Sequence, residues 1–285
     1  MPPVVRLVQS GAEQNGKDSA HFRNGRRLIF QRLSRTSPKS LLGRALRLPL
    51  QFVPRHSVVT VKSGINKGML WVAGSSVHSC WLGHYEPEKQ ALVRRLTRRG
   101  MTVFDIGANA GFYTLAFSRL VGETGRVWAF EPYAGNAVNL MRHLALNHIG
   151  NATLVQAAVA AHAGVSGFKT DFSDSEWHLS DLARDYMVPA ISLDPLVASG
   201  VLPLPDIIKI DVEGAEARVL EGASDLLKHG KTSLLIALHG IEPLRQCLSL
   251  LGQLRYEAYR FDGQRLSPAC GNVDEIYAMP IAGNA

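Results

Sequence analysis

From Met101 onward, short apolar runs alternate with amphipathic stretches at helical spacing. That rhythm belongs to β-α-β units, which build a mostly parallel sheet with helices on its faces, and few other architectures accommodate it. The predicted strands are Thr102 to Ile106, Arg126 to Glu131, Ala152 to Gln156, Asp206 to Ile210 and Ser233 to Leu238. The predicted helices run from Gly111 to Val121, Ala134 to Asn147, Gly214 to His229 and Glu242 to Leu251. Near the C-terminus, YEAYRF, then Asp262 and Gly263, then VDEIYAM predict an antiparallel pair at the sheet edge. Ahead of Met101, SVVTVKSG and MLWVAG read as two strands, followed by a helix from Glu86 to Arg99 that Pro87 opens and Gly100 stops.

Charge divides the chain into two parts. Residues 1–55 hold eleven Lys or Arg against Glu13 and Asp18, whereas the remainder holds 20 basic and 22 acidic residues. A basic leader on a nearly neutral body argues against a nucleic-acid reader, whose positive stripe would cross the folded surface. The leader lacks hydrophobic periodicity up to about Gln31 and is expected to be mobile. SLLGRALRLPLQFV, from Ser40 to Val53, predicts a short capping helix cut by Pro49. Its basic amphipathic composition also suits weak contact with an anionic membrane surface. The organisation expected is therefore a leader over 1–55 and a catalytic domain over 56–285. No apolar run is long enough for a spanning helix and no secretory signal is legible, which points to the cytoplasm. Cys80, Cys247 and Cys270 are too few and too widely spaced for a disulfide framework or a metal clip, and are expected to be reduced and buried.

The most informative segment is VFDIGANAGFYT, Val103 to Thr114, a strand passing through a Gly-rich turn into a helix. Gly107 suits a positive φ and close ligand approach, while Gly111 opens a helix whose free N–H groups favour an anionic group. GANAG lacks the G-x-G-x-x-G order of a dinucleotide turn. Asp105 would repel a diphosphate yet attract the α-ammonium of a methionine-derived cofactor, so the pattern suits S-adenosylmethionine. At the end of the next strand, Glu131 suits the two hydroxyls of a ribose, and Pro132 stops that strand.

Two further strand exits carry charge. DIIKIDVEGAE sets Lys209, Asp211, Glu213 and Glu216 around one, and LLIALHG sets His239 at the next. In open α/β sheets, ligands sit at the carboxyl ends of strands, so Asp211 and Glu213 are expected to face the same crevice as Asp105 and Glu131, with His239 within reach of it. His239 or Asp211 is the candidate general base, oriented by Glu213 or Lys209. No H-x-x-x-H or paired-cysteine spacing supports zinc, and no G-x-S-x-G supports a serine hydrolase.

Taken together, SGINKG, WLGHYEPE, VFDIGANAGFYT, the strand ending FEP, ISLD and IKIDVEGAE resemble the FkbM-type family of S-adenosylmethionine-dependent O-methyltransferases, over roughly Val58 to His239. The resemblance implies a Rossmann-like class I methyltransferase fold. It also implies that Asp105, Gly107 and Asn109 hold the methionyl part and Glu131 the ribose, with the Asp211 to Glu216 segment at the reacting edge. The cofactor set expected is Glu86, Asp105, Gly107, Asn109, Gly111, Glu131, Pro132, Ala157 and Asp211. The family acts on hydroxyls of polyketides, sugars and other small metabolites. One departure is Ala237, where the family usually has Glu. It motivates a competing reading as a non-catalytic adenosine-ligand binder or adaptor; an NAD-dependent oxidoreductase is a weaker alternative.

Overall fold

Strand alternation in the centre of the sheet buries both faces at once. Val103, Phe104, Asp105 and Ile106 are all essentially inaccessible, as are Ile207, Ile208 and Ile210. The computed structural model describes residues 52–170, 177–179, 186–267 and 270–281. Residues 1–51 of the predicted leader, with nearly all of the predicted Ser40 to Val53 helix, lie outside them. Arg55–Ala285 forms one compact unit.

In chain order, the first elements are β1 (Val58–Thr60), β2 (Leu70–Val72), α1 (His78–Leu82) and α2 (Pro87–Leu96). The sheet region follows with β3 (Thr102–Ile106), α3 (Phe112–Val121), β4 (Arg126–Phe130), α4 (Ala134–Leu146) and β5 (Ala152–Val155). Next come β6 (Ala158–Val159), β7 (Gly164–Thr170), β8 (Trp177–Leu179), β9 (Tyr186–Ile191) and α5 (Leu193–Ala198). The chain continues through β10 (Ile207–Ile210), α6 (Glu216–Glu221), α7 (Ser224–Lys228), β11 (Ser233–Ala237), α8 (Ile241–Gln253), β12 (Tyr256–Tyr259) and β13 (Glu275–Pro280).

The principal sheet has the order β12-β13-β11-β10-β3-β4-β5. Strands β11, β10, β3, β4 and β5 are mutually parallel, and β13 runs antiparallel to both β11 and β12. This is a Rossmann-like arrangement with a chain reversal at one side. The antiparallel pair expected at the sheet edge is β12 and β13; the last strand lies between β11 and β12, so β13 alone opposes the rest.

Side chains of one parity, Phe104, Ile106, Ile208, Ile210, Leu234 and Ile236, pack in a single core with Val219, Leu220, Leu226, Leu244 and Leu251 of the following helices. The opposite parity brings charge inward. Register sets Lys209 beside Asp105 on neighbouring strands, both pointing to the same face.

Two departures from the expected elements have clear causes. The predicted Gly214 to His229 helix is split at Gly222, whose carbonyl is taken by the N–H groups of Leu193 and Asp194 and the Ser192 hydroxyl. A side chain there would put a Cβ 2.1 Å from the Ala160 carbonyl oxygen. Asp194, from the ISLD segment, then accepts from the N–H groups of Asp225 and Leu226, each at 2.9 Å, and so starts α7. The second departure is a four-stranded sheet, β6-β9-β7-β8, between β5 and β10. Its strand β9 is covered on one face only, Val188 and Ala190 being buried while Met187 and Pro189, which alternate with them, are exposed, and the internal Pro189 argues against a strand in sequence. Cys80 and Cys247 are free and buried as expected, but Cys270 is only partly covered.

Candidate active site

The turn after β3 is held against the exit of β10. Gly107 has φ 71°, and a Cβ on it would fall 1.8 Å from the Asp211 carbonyl oxygen. Only glycine permits both the left-handed backbone and that approach. Gly107→Ala is expected to push the β3 and β10 exits apart and to destabilise the domain by roughly 2 kcal/mol or more, from backbone strain together with overpacking. Chemical denaturation reads this directly, and an unchanged midpoint would contradict it.

A crevice opens above this turn. Ile106, Gly107, Ala108 and Asn109 form its floor, Glu131, Pro132 and Ala157 one wall, and Lys209, Asp211 and Glu213 another. Trp71, Cys80 and Tyr85 from the N-terminal elements help close it. Glu131 accepts the Asn109 N–H at 2.7 Å through one oxygen and the Tyr133 N–H at 2.9 Å through the other. Burial raises its carboxyl above the ordinary range, against the pull of those two amides. A carboxylate has about four lone-pair sites; Oε1 also accepts a long 3.4 Å bond from Asn136 Nδ2, which a ribose hydroxyl can displace, and Oε2 keeps one site for the second hydroxyl.

Asp105 does not line this crevice. It is fully buried beneath the turn, where Thr114 donates to it at 2.6 Å and Lys209 Nζ lies 3.2 Å away. Its charge is thereby balanced inside the sheet, which corrects the expected attraction of an α-ammonium. The negative rim comes instead from Glu131, Asp211 and Glu213, set against the single ammonium of Lys209. Gly111 also stands away from the crevice, in a position where a Cβ would meet Leu140 at 3.0 Å. Glu86 belongs to an adjoining cavity, and its carboxylate takes the Tyr113 hydroxyl and Lys89 Nζ, both at 2.8 Å.

That second cavity shares Tyr85, Asp211 and Glu213 with the crevice and is otherwise lined by Glu86, Lys89, His239 and Glu275, among others. Asp211 and Glu213 therefore stand where the two spaces meet. Asp211 has Lys209 Nζ at 3.6 Å and Lys89 Nζ at 3.7 Å, with His239 Nε2 at 4.0 Å. Burial alone would raise its carboxyl, but the two ammonium groups and the imidazolium outweigh burial and hold it below its ordinary value.

His239 is clamped between acids, with Nε2 3.0 Å from Glu213 Oε2 and Nδ1 2.9 Å from Glu216 Oε1. Those two contacts push its pKa from the ordinary 6.5 up to about 10. At neutral pH it is an imidazolium, which does not suit the expected alternative of His239 as a free base. The shift also fixes a sign for stability. The folded state keeps this proton while the unfolded chain loses it near 6.5, so the contribution is complete below that value and disappears as pH rises through about 10. His239→Gln is expected to flatten the decline of stability between those pH values. Denaturation midpoints measured across that window check it, and parallel wild-type and variant curves would contradict it.

The structure brings Lys209, Asp211, Glu213 and His239 together as the strand-exit reasoning expected. Two participants were missed. Lys89 sits in a charged helical stretch that reads as a solvated face, yet its side chain is only 3% exposed and bonds Glu86 and Glu275. Glu275 is the register partner of Ala237, so the neighbouring strand places a carboxylate at the cavity where the chain itself has alanine. No local spacing signals an antiparallel register. Glu216 was legible only as part of a charged segment.

The family description Methyltransferase FkbM domain matches residues 105–283, more than half of the chain. The hexuronic acid methyltransferase AglP of Haloferax volcanii is 26% identical, with 50% of this chain and 57% of that protein covered. The 31-O-demethyl-FK506 methyltransferase FkbM of Streptomyces tacrolimicus is 31% identical, with 45% of this chain and 61% of that protein covered. The chain thus spans about three fifths of the length of these relatives. Among solved structures, a methyltransferase FkbM from Methylobacillus flagellatus KT overlaps 92% of this chain and 60% of its own, at TM-score 0.45 and 16% identity. The protein belongs to the FkbM family of S-adenosylmethionine-dependent methyltransferases.

Proposed function

We propose that the protein transfers a methyl group to a hydroxyl oxygen of a small polyhydroxylated metabolite, such as a sugar or a polyketide. The observation that carries this reading is the position of Asp211, an ionised carboxylate where the cofactor crevice meets a polar second cavity. S-adenosylmethionine, when bound, supplies an electrophilic methyl on a sulfonium. The residues fit such a cofactor: Glu131 suits the ribose diol, Phe130, Pro132 and Ala157 offer apolar contact, and the excess of carboxylates over ammonium groups disfavours a diphosphate.

The chain's own work is orientation and proton acceptance. Holding an acceptor oxygen in line is worth about 7–11 kcal/mol of barrier in a well-aligned site. A hydroxyl becomes far more acidic as its oxygen forms the new C–O bond, so a weakly basic carboxylate suffices to take the proton. Asp211 is kept in the ionised form by Lys209 and Lys89 and fills that role. Glu213, held in place by the His239 imidazolium, offers an acceptor to a neighbouring hydroxyl.

Incubation with methyl-labelled S-adenosylmethionine and a panel of neutral sugars, hexuronic acids and macrolactones tests the reading. Label that survives alkaline hydrolysis, as an ether does, is expected on a hydroxylated compound. Label found only as an alkali-labile ester, or on nitrogen, would contradict it. Complete absence of transfer with cofactor bound would favour the adaptor reading.

A further inference from the structure

Glu216 opens a helix of six residues, where an acid is ordinary, but its surroundings are not. The residue is fully buried, and its Oε1 meets both His239 Nδ1 and the Gly214 N–H, each at 2.9 Å. Its Oε2 is buried with no hydrogen-bond partner among the described residues. A buried carboxylate with an unsatisfied oxygen costs stability, so helix capping alone is a poor reason for it. Glu216 also faces Cys247 of α8, whose thiol is pushed up to about 12 by burial and by this carboxylate. Other charged groups near the ring include Asp211 and Glu213, with Lys209 and Lys89 behind Asp211.

We propose that Glu216 is the positioning residue of the acceptor cavity. It fixes the His239 ring through Nδ1, turning Nε2 toward Glu213 and Asp211, and it pins the loop that carries Glu213 through the Gly214 amide. This deepens the hydroxyl-transfer reading and rests on it for its catalytic consequence. The arrangement follows a recurrent logic, in which a carboxylate on one ring nitrogen holds the ring's charge and the direction of the other nitrogen.

NMR titration of the His239 ring nitrogens in the full chain tests the placement without any acceptor. In the wild-type protein the ring is expected to remain protonated past pH 9, with an Nδ1 proton slow to exchange. In Glu216→Gln, which preserves size and removes charge, the midpoint is expected to fall by a full unit or more, while affinity for S-adenosylmethionine stays within about twofold. An unchanged midpoint would overturn the proposal, since a helix-capping role does not set the imidazole titration. Loss of cofactor affinity in step with the midpoint would also overturn it, by showing a general structural role. Should the variant not fold, the wild-type spectrum decides alone, because a freely exchanging Nδ1 proton at neutral pH is incompatible with the proposed bond. Absent methyl transfer, by contrast, would count against the hydroxyl reading and leave this placement of the ring intact.

Discussion

Lys209→Met is expected to destabilise the domain by about 3–5 kcal/mol, the usual cost of leaving a buried charge without its partner. Asp105 is inaccessible to water, and Lys209 is its cationic neighbour across the β3–β10 register. Lys209 also donates to the Gly107 carbonyl at 2.8 Å, so the change loosens the turn that floors the crevice. A loss of that size is a large fraction of the 5–15 kcal/mol that holds a typical domain together. The double variant Asp105→Asn with Lys209→Met removes both charges and should recover much of the deficit, because the cost arises from the isolated carboxylate and not from the absent lysine. Urea unfolding of both variants checks this, and a single-variant loss below about 1 kcal/mol would show the pair to be unimportant.

The second large effect concerns turnover. Asp211→Asn keeps the shape of the side chain while removing the proposed proton acceptor, and kcat is expected to fall by about 10²–10⁴-fold, the range for losing a general base. Affinity for S-adenosylmethionine should change much less, since Glu131 and the crevice walls stay in place. The wild-type acid limb is expected below the ordinary carboxylate range, because Lys209 and Lys89 hold Asp211 ionised there. His239→Gln should instead remove any fall in activity near pH 10, where the imidazolium loses its proton. Initial rates against pH, with whichever acceptor takes label, separate the two. A normal kcat for Asp211→Asn would move the proton-accepting role to another group.

The parallel sheet was legible because its strands are buried on both faces and so appear as uninterrupted apolar runs separated by amphipathic helices. Position at a strand exit was legible for the same reason, and it located Asp211, Glu213 and His239. Charge balance was not. Asp105 reads as an exposed anion next to a glycine turn, and only the register with Lys209 shows that its charge is consumed inside the sheet. Nor does sequence show that β13 returns between β11 and β12, which is how Glu275 comes to stand opposite Ala237. The missing glutamate that suggested lost chemistry is thus accompanied by a carboxylate from another strand. The split at Gly222 likewise depends on a carbonyl engaged by the distant Ser192 segment, which no helical periodicity contains.

On the proposed reading, the crevice above the Gly107 turn receives an adenosine-bearing methyl donor through Glu131 and rejects a dinucleotide. Calorimetric titration of the full chain with S-adenosylmethionine and with NAD, repeated on Glu131→Ala, tests it most directly. One-site binding of S-adenosylmethionine, no heat from NAD, and affinity weakened roughly tenfold or more in the variant are the predicted results, in line with the loss of hydrogen bonds to a charged group. Binding of NAD in preference to S-adenosylmethionine, or equal affinity of wild type and Glu131→Ala, would contradict the account.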